Sequence, residues 1–325
     1  MTDFIFETKK GHKIKYYRGG QGDKTYVLIH AQGTSSKSYF SIAKKLGQKA
    51  QVLLLDCYGH GGSDKEKSLY SLACIGDDFF ELFSTLQLSN INLVGHSSGG
   101  LIAAYIESKY HCCQELFLED PPFFSSWGGR RFKTYNYVDL SSVCHDYLEE
   151  DKKEDFVTYY FEHQYAWNFF PEKSREKLRG KMVENAKKFR KKHPDRDLQV
   201  SFWPKDALEG FKGMNDYDPY FGLTFYDNSF HQDIDYEELL GNIKCPTTFL
   251  KAQTKTDPET GLLMAALSEE DLNHVARLVK NLEIVRCRCG HAIHVEKKRQ
   301  FLAALDHREY REVDLKALLS GRNNQ

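Results

Sequence analysis

The chain has 325 residues, 41% of them hydrophobic and 28% charged, with 45 lysines and arginines against 46 aspartates and glutamates. That length can bury a large core, as one big α/β domain with an insertion or as two modest domains, and the composition is ordinary for a soluble globular protein. A formal net charge of −1 supplies no global attraction for nucleic acid or an anionic membrane.

The first residues, Met1-Thr2-Asp3-Phe4-Ile5-Phe6, are acidic early and lack a long apolar run, so no signal peptide is expected. No window approaches the roughly 18 apolar residues of a membrane span. Eight scattered cysteines (57, 74, 112, 113, 144, 245, 287 and 289) without an export signal predict reduced thiols and a cytoplasmic location. Residues 4–6 and 13–17, split by Lys10-Gly11-His12, read as an antiparallel hairpin at a sheet edge. Short apolar runs then recur at 26–29, 52–55, 91–94, 116–118, 247–250 and 282–285, each bounded by Gly, Asp, Pro or other turn residues. Such runs suit parallel strands buried on both faces. Between them lie helix-length stretches at 38–46, 75–86, 98–109, 269–280 and 297–305, the alternation of a doubly wound α/β sheet.

The alternation breaks between about 123 and 243. That span is charged and helical in pattern, and holds all three tryptophans and more than half of the aromatic residues. It reads as a mainly helical insertion, whose aromatics form a second small core, roof a pocket, or do both. Its basic run, Lys187-Lys188-Phe189-Arg190-Lys191-Lys192, reads as a solvated helix face. Residues 309–319 are expected to form a surface helix, and 322–325 a frayed end.

Functional groups collect at the carboxyl ends of parallel strands. After the third such run comes Gly95-His96-Ser97-Ser98-Gly99. Only Ser97 takes the central place of G-x-S-x-G, where a strained strand-to-helix turn lifts Oγ into the site and flanking glycines permit close packing. Ser98 then opens the helix with its backbone N–H free to hold an oxyanion. A serine hydroxyl needs a base, and the base an orienting carboxylate. His291, in Cys289-Gly290-His291-Ala292-Ile293-His294, follows the last strand and precedes a helix, and is the candidate base. His294 reads as a packing or helix-start residue. Asp257 lies beyond the strand at 247–251 and completes the chain order Ser…Asp…His, with Asp120 and Glu259 as alternatives. Gln32, in His30-Ala31-Gln32-Gly33-Thr34 after the first parallel strand, is the candidate second oxyanion donor through its backbone N–H.

The loop Asp56-Cys57-Tyr58-Gly59-His60-Gly61-Gly62-Ser63-Asp64 lacks the P-loop and Rossmann spacings, so it is read as bracing the site floor and not as a nucleotide site. Neither Cys287-x-Cys289 nor His291-x-x-His294 has a zinc-site spacing, and no metal or organic cofactor is expected.

Together these residues resemble the α/β-hydrolase superfamily. Val94-Gly95-His96-Ser97-Ser98-Gly99-Gly100 is similar to its nucleophile elbow, Asp56-x-x-Gly59-His60-Gly61-x-Ser63 to its D-x-x-G-x-G-x-S loop, and Gly290-His291 followed by Glu296 to its late G-H-x-x-x-x-E. Two features depart from the pattern. Ala31 stands where the oxyanion loop usually has glycine, and the loop after residue 251 is about two residues longer than usual. The resemblance implies an α/β-hydrolase core at 1–122 and 243–325, with 123–242 as a helical cap. It also implies a serine hydrolase that cleaves an ester-like bond of a small, apolar or aromatic molecule. C–C bond hydrolysis, acyl transfer and ligand reception without turnover are the alternatives on the same scaffold. The partner expected is a small-molecule substrate, with no nucleic acid and no membrane insertion; the oligomeric state is not legible in the sequence.

Overall fold

The computed structural model describes residues 1–151, 155–201, 203 and 210–307. The expected terminal helix at 309–319 and the frayed end at 322–325 lie outside them. Eight strands form one sheet: β1 Thr2–Glu7, β2 Lys13–Gly20, β3 Thr25–Ile29, β4 Gln51–Leu55, β5 Ile91–His96, β6 Cys113–Glu119, β7 Thr247–Lys251 and β8 Leu282–Arg286, in the order β1-β2-β4-β3-β5-β6-β7-β8. β1 and β2 are the antiparallel hairpin, and β2 also runs antiparallel to β4, while β4-β3-β5-β6-β7-β8 are mutually parallel. This is the doubly wound sheet that the alternation predicts, and it has the α/β-hydrolase fold that the resemblance implies.

The parallel strands are apolar on both faces because both faces are covered. Val27, Ile29, Leu53, Leu55 and Leu93 point into one layer with α2 Leu72–Thr85 and α3 Ser98–Tyr110. The alternate residues Leu28, Val52, Leu54 and Val94 point into the other, against α1 Phe40–Leu46 and the C-terminal helix around Phe301. Helix α2 begins a turn earlier than its apolar pattern predicts, because the Ser71 side chain accepts from the Cys74 N–H and caps the new start.

Between β6 and β7 the chain leaves the sheet for α4 Ser142–Glu149, α5 Phe156–His163, α6 Glu172–Lys192, α7 Pro219–Tyr226 and α8 Tyr236–Gly241. It returns to complete the sheet with α9 Glu269–Leu278, α10 Ile293–Glu296 and α11 Lys298–Leu305. The aromatics of the insertion divide their work. Trp167 and Trp203 are buried with Phe161, at ring separations of 5.5 and 5.0 Å, as a small second core. Trp127 is exposed, while Tyr135, Tyr160 and Phe225 face a cavity over the sheet. Polar contacts seat the insertion on the strand-end loops: Gln32 Nε2 donates to Tyr217 Oη at 3.0 Å, Asp218 N–H to the Gly59 carbonyl at 2.7 Å, and Tyr70 Oη–H to Asp218 at 2.6 Å. Among the described residues no helix is long and apolar enough to cross a membrane.

Candidate active site

β5 is buried along its whole length and ends in a turn that only glycine neighbours allow. Ser97 has φ 54° and ψ −118°, a conformation that L-residues rarely adopt. A Cβ at position 95 would lie 2.3 Å from the Gly99 carbonyl oxygen, and one at position 99 would lie 2.4 Å from that of Ile29. Two hydrogen-bond-free approaches of backbone to backbone therefore set the glycine spacing. Ser97 sits directly before α3, held by its N–H to the Glu119 carbonyl at 2.9 Å. The amide of Ser98, first in the helix, has no intrahelical acceptor by helix geometry.

Two buried histidines fix the loop opposite. His30 Nδ1 donates to the Ala31 carbonyl at 2.8 Å and its Nε2 accepts from Cys57 N–H at 3.0 Å. His60 Nδ1 donates to the Tyr58 carbonyl at 2.9 Å and Nε2 accepts from Gly33 N–H at 3.1 Å. Both rings must be neutral to accept at Nε2, and burial lowers both histidines below their ordinary value. Asp56 accepts from the Ser36 and Gly62 amides at 2.9 and 3.0 Å, so the glycine-rich loop after β4 does brace the floor. Gln32 N–H points at the elbow but already donates to Ser98 Oγ at 2.8 Å. The structure therefore gives this expected oxyanion donor a protein acceptor.

The structure corrects the carboxylate. His291 Nδ1 donates to Asp120 Oδ2 at 2.8 Å, and Asp257 is nowhere in that contact. Asp257 lies in an exposed turn six residues past β7, where its Oδ1 accepts from the Glu259 and Thr260 amides at 2.9 and 2.8 Å. Glu259 is exposed in the same turn. The reason is where the long loop goes. Leu263 exchanges backbone hydrogen bonds with Lys133 and Tyr135 at 2.9 Å each, which carries the loop away from His291 and onto the insertion. There Met264, Ala265 and Ala266 wall the cavity. Asp120, at φ 46°, is instead pinned between strand ends: its N–H donates to the Leu250 carbonyl at 2.9 Å and its Oδ1 accepts from Ala252 N–H at 3.2 Å.

Asp120 is fully buried, which by itself would raise its carboxyl. The hydrogen bond and charge of His291, and then the charge of Lys251, outweigh burial and hold it below the ordinary carboxylate range. Lys251 Nζ lies 3.5 Å from Asp120 Oδ1 and donates to the Ala252 carbonyl at 2.6 Å, buried to 1% exposure. A lysine closing an otherwise apolar strand was its only signal in the sequence. With Nδ1–H bound to a carboxylate, His291 presents Nε2 as its basic atom, and its side chain remains 40% exposed towards the cavity.

A second buried network stands behind this pair. His294, read from the sequence as a packing residue, donates through Nδ1 to Glu119 at 2.8 and 3.0 Å and through its N–H at 2.8 Å. Tyr39 Oη–H adds a third donor to Glu119 at 3.1 Å. His96 Nε2 donates to the His291 carbonyl at 3.0 Å and so ties the elbow to the histidine loop. Burial would raise Glu119, but the charges of His294 and His96 bring it down to about 2; burial lowers His96 to about 3. The ligand atoms of His96, Glu119 and His294 lie within 4.8 Å of one another, a metal-like grouping. The donors already on Glu119 occupy its oxygens, so the trio reads as a hydrogen-bonded network.

Ser97, Ser98, Gln32 and His291 share a cavity of about 260 Å³, roofed by the insertion through Leu140, Met214 and Phe225. The arrangement is a strained serine and a carboxylate-bound histidine opening on one pocket at the carboxyl ends of a parallel sheet.

Residues 25–128 match the family described as alpha/beta hydrolase fold. An uncharacterized protein of Mycobacterium bovis is 35% identical over 98 residues, and that match spans 30% of this chain and only 28% of the relative's length. A proline iminopeptidase of Lactobacillus crispatus is 25% identical over 305 residues, covering 89% of this chain and 92% of the relative. Among solved structures, an esterase from Exiguobacterium antarcticum superposes with a TM-score of 0.66 at 15% identity, over 94% of this chain and 98% of that one. The fold thus defined is a parallel α/β sheet with a serine-bearing strand-to-helix turn. Over residues 25–128 the chain is similar to that family, and its sheet as a whole has the α/β-hydrolase fold.

Proposed function

We propose that the chain is a serine hydrolase acting on an ester-like bond through Ser97, His291 and Asp120. The observation that carries this reading is the 2.8 Å hydrogen bond from His291 Nδ1 to buried Asp120, made beside a serine at φ 54° on the same cavity. His291 Nε2 takes the Ser97 proton as Oγ attacks the carbonyl, then passes it to the departing alcohol as the C–O bond breaks. Water then gives a proton to His291 as its oxygen bonds the acyl carbon, and His291 returns that proton to Ser97 Oγ as the Oγ–acyl bond breaks and the acid leaves. The Ser98 amide holds the oxyanion, joined by Gln32 N–H once the Ser98 hydroxyl turns away from it. Asp120 keeps His291 in the tautomer that leaves Nε2 basic and stabilises the imidazolium formed.

In this reading residues 1–122 and 243–325 are the catalytic core and 123–242 a cap. The roof of Leu140, Met214 and Phe225 suits an apolar or aromatic portion of the substrate. One relative spanning most of this chain is named a peptidase and one structural neighbour an esterase. Amide and ester cleavage share the acyl-enzyme route, which supports acyl chemistry over ligand reception alone.

A fluorophosphonate probe followed by peptide mapping tests the assignment. Covalent label at Ser97, absent from a Ser97→Ala protein that no longer hydrolyses p-nitrophenyl acetate, is the expected result. Label at another residue, or undiminished hydrolysis by Ser97→Ala, would sink it.

A further inference from the structure

The wall of the cavity contributed by the insertion has a chemistry that the catalytic reading does not use. Residues Tyr137–Ser141 wind as a π-helical turn before α4. Such turns are rare and occur mostly at functional sites, because the extra residue takes side chains off the regular helical face. Here it sets Asp139 and Leu140 into the cavity lining beside Tyr135 and Tyr160. Asp139 is 4% exposed. Its Oδ2 accepts from Tyr160 Oη–H at 2.5 Å and its Oδ1 from Tyr165 N–H at 2.6 Å, and the Tyr135 hydroxyl also donates to it. A phenol whose proton is held by a carboxylate can only accept from a third group. Tyr135, Tyr160 and Asp139 therefore offer oxygen lone pairs and negative charge.

Nothing in the described lining balances that charge. It contains no lysine and no arginine, and Asp139 is its sole carboxylate. In a desolvated pocket an uncompensated carboxylate attracts a cation and repels an anion far more strongly than in water. We propose that the cavity takes an ester whose far end carries a protonated amine, seated against Asp139, Tyr135 and Tyr160 while its carbonyl lies at Ser97. This names a substrate class for the site and rests on the reading of Ser97 as nucleophile. Burial, opposed by hydrogen bonds from Tyr160 and the Tyr165 amide, pushes the Asp139 carboxyl up to about 6. At pH 7.5 the wall is thus still mostly ionised, and a bound ammonium group relieves the cost of that ionisation. The same wall disfavours substrates that end in a carboxylate.

Three p-nitrophenyl esters of matched length test the wall: 6-aminohexanoate, heptanoate and the half-ester of pimelate. The acetate ester is too short to reach it and reports Ser97 alone. At pH 7.5 the expected kcat/KM order is ammonium over methyl over carboxylate. The ammonium-to-carboxylate ratio should be roughly ten- to hundredfold, the range for a hydrogen bond to a charged group. Asp139→Asn should bring that ratio, read within the variant, close to one. Should Asp139→Asn fail to fold, Tyr135→Phe with Tyr160→Phe should lower the ratio, and n-pentylammonium should inhibit the unmodified enzyme at least tenfold better than n-pentanoate. An enzyme that turns over the acetate ester yet treats the three long esters alike, or prefers the carboxylate, overturns the proposal. Failure of the acetate ester and of phosphonate labelling would instead overturn the Ser97 assignment. Calorimetric titration of pentylammonium against pentanoate then still decides the wall's preference, and equal or reversed affinity overturns it.

Discussion

At the scale of single residues, the carboxylate behind His291 is the informative case. Asp120 holds the imidazole from a fully buried position, whereas Asp257 has its oxygen engaged by the amides of its own exposed turn. Asp120→Asn keeps the shape but presents an amide where the Nδ1 proton needs an acceptor, favouring the wrong tautomer. It should lower kcat for p-nitrophenyl acetate by about 10³ to 10⁴. Asp257→Asn should stay within about twofold of wild type, the range of surface changes that touch no machinery. Steady-state kinetics of the two variants side by side checks this, and the reverse ranking would return the role to Asp257. In the sequence both aspartates follow an apolar strand, and Asp257 has the more usual chain order. Nothing local records that Asp120 N–H would bond Leu250 and its carboxylate Ala252, so the choice between them needed the neighbouring strand.

At the scale of elements, the unit from β5 through the elbow to α3 was the most legible part of the chain. Its pattern is local: an apolar strand, glycines two residues either side of a serine, then a helix. The structure adds the reason for the spacing, in the 2.3 and 2.4 Å approaches that a Cβ at 95 or 99 would make to backbone oxygens. Backbone cannot yield as a side-chain tip can. Gly95→Ala and Gly99→Ala should each destabilise the fold by about 2–4 kcal/mol, more than most surface substitutions. Gly180, within α6 and with open space where its Cβ would be, supplies the contrast. Gly180→Ala should stabilise by up to about 1 kcal/mol through helix propensity. Urea unfolding midpoints of the three variants measure both signs, and near-equal midpoints for 95 and 180 would contradict the packing account. The loop after β7 was the least legible element. Its extra length was visible, but its bonds to Lys133 and Tyr135 join segments more than 120 residues apart.

At the scale of the molecule, the fold is built around histidines kept neutral by burial. His96 and His231 are both lowered to about 3, chiefly by burial, and His30 and His60 are lowered as well. Unfolding lets each take up a proton at its ordinary value near 6.5. Between that value and the depressed folded one the unfolded chain binds more protons, so stability falls as pH falls. Each such histidine costs about 1.4 kcal/mol per pH unit below about 6.5. Glu119, depressed to about 2 from 4.5, adds stability that is present above pH 4.5 and lost as pH drops through its folded value. Asp139 works in the opposite sense between about 4 and 6, where its raised value makes the folded state the better proton binder, and offsets part of one histidine. Urea midpoints should therefore change little from pH 7.5 to about 6.5 and fall increasingly from there to pH 5.5. A flat midpoint over that range would show that these rings protonate without unfolding.

The sequence by itself determined the strands, most helix positions, the place of the helical insertion and the geometry around Ser97. Each of those depends on residues within a turn or two of one another, through apolar runs, caps and the glycine spacing of a tight bend. Only the tertiary structure decided that the carboxylate bonded to His291 comes from the end of β6, that Lys251 and the Glu119–His294 pair stand behind it, and that Asp139 lines the cavity. Those outcomes depend on which strand ends lie side by side and on where a long loop finds its hydrogen-bond partners. Distances through space between remote segments set both, and no local pattern encodes them.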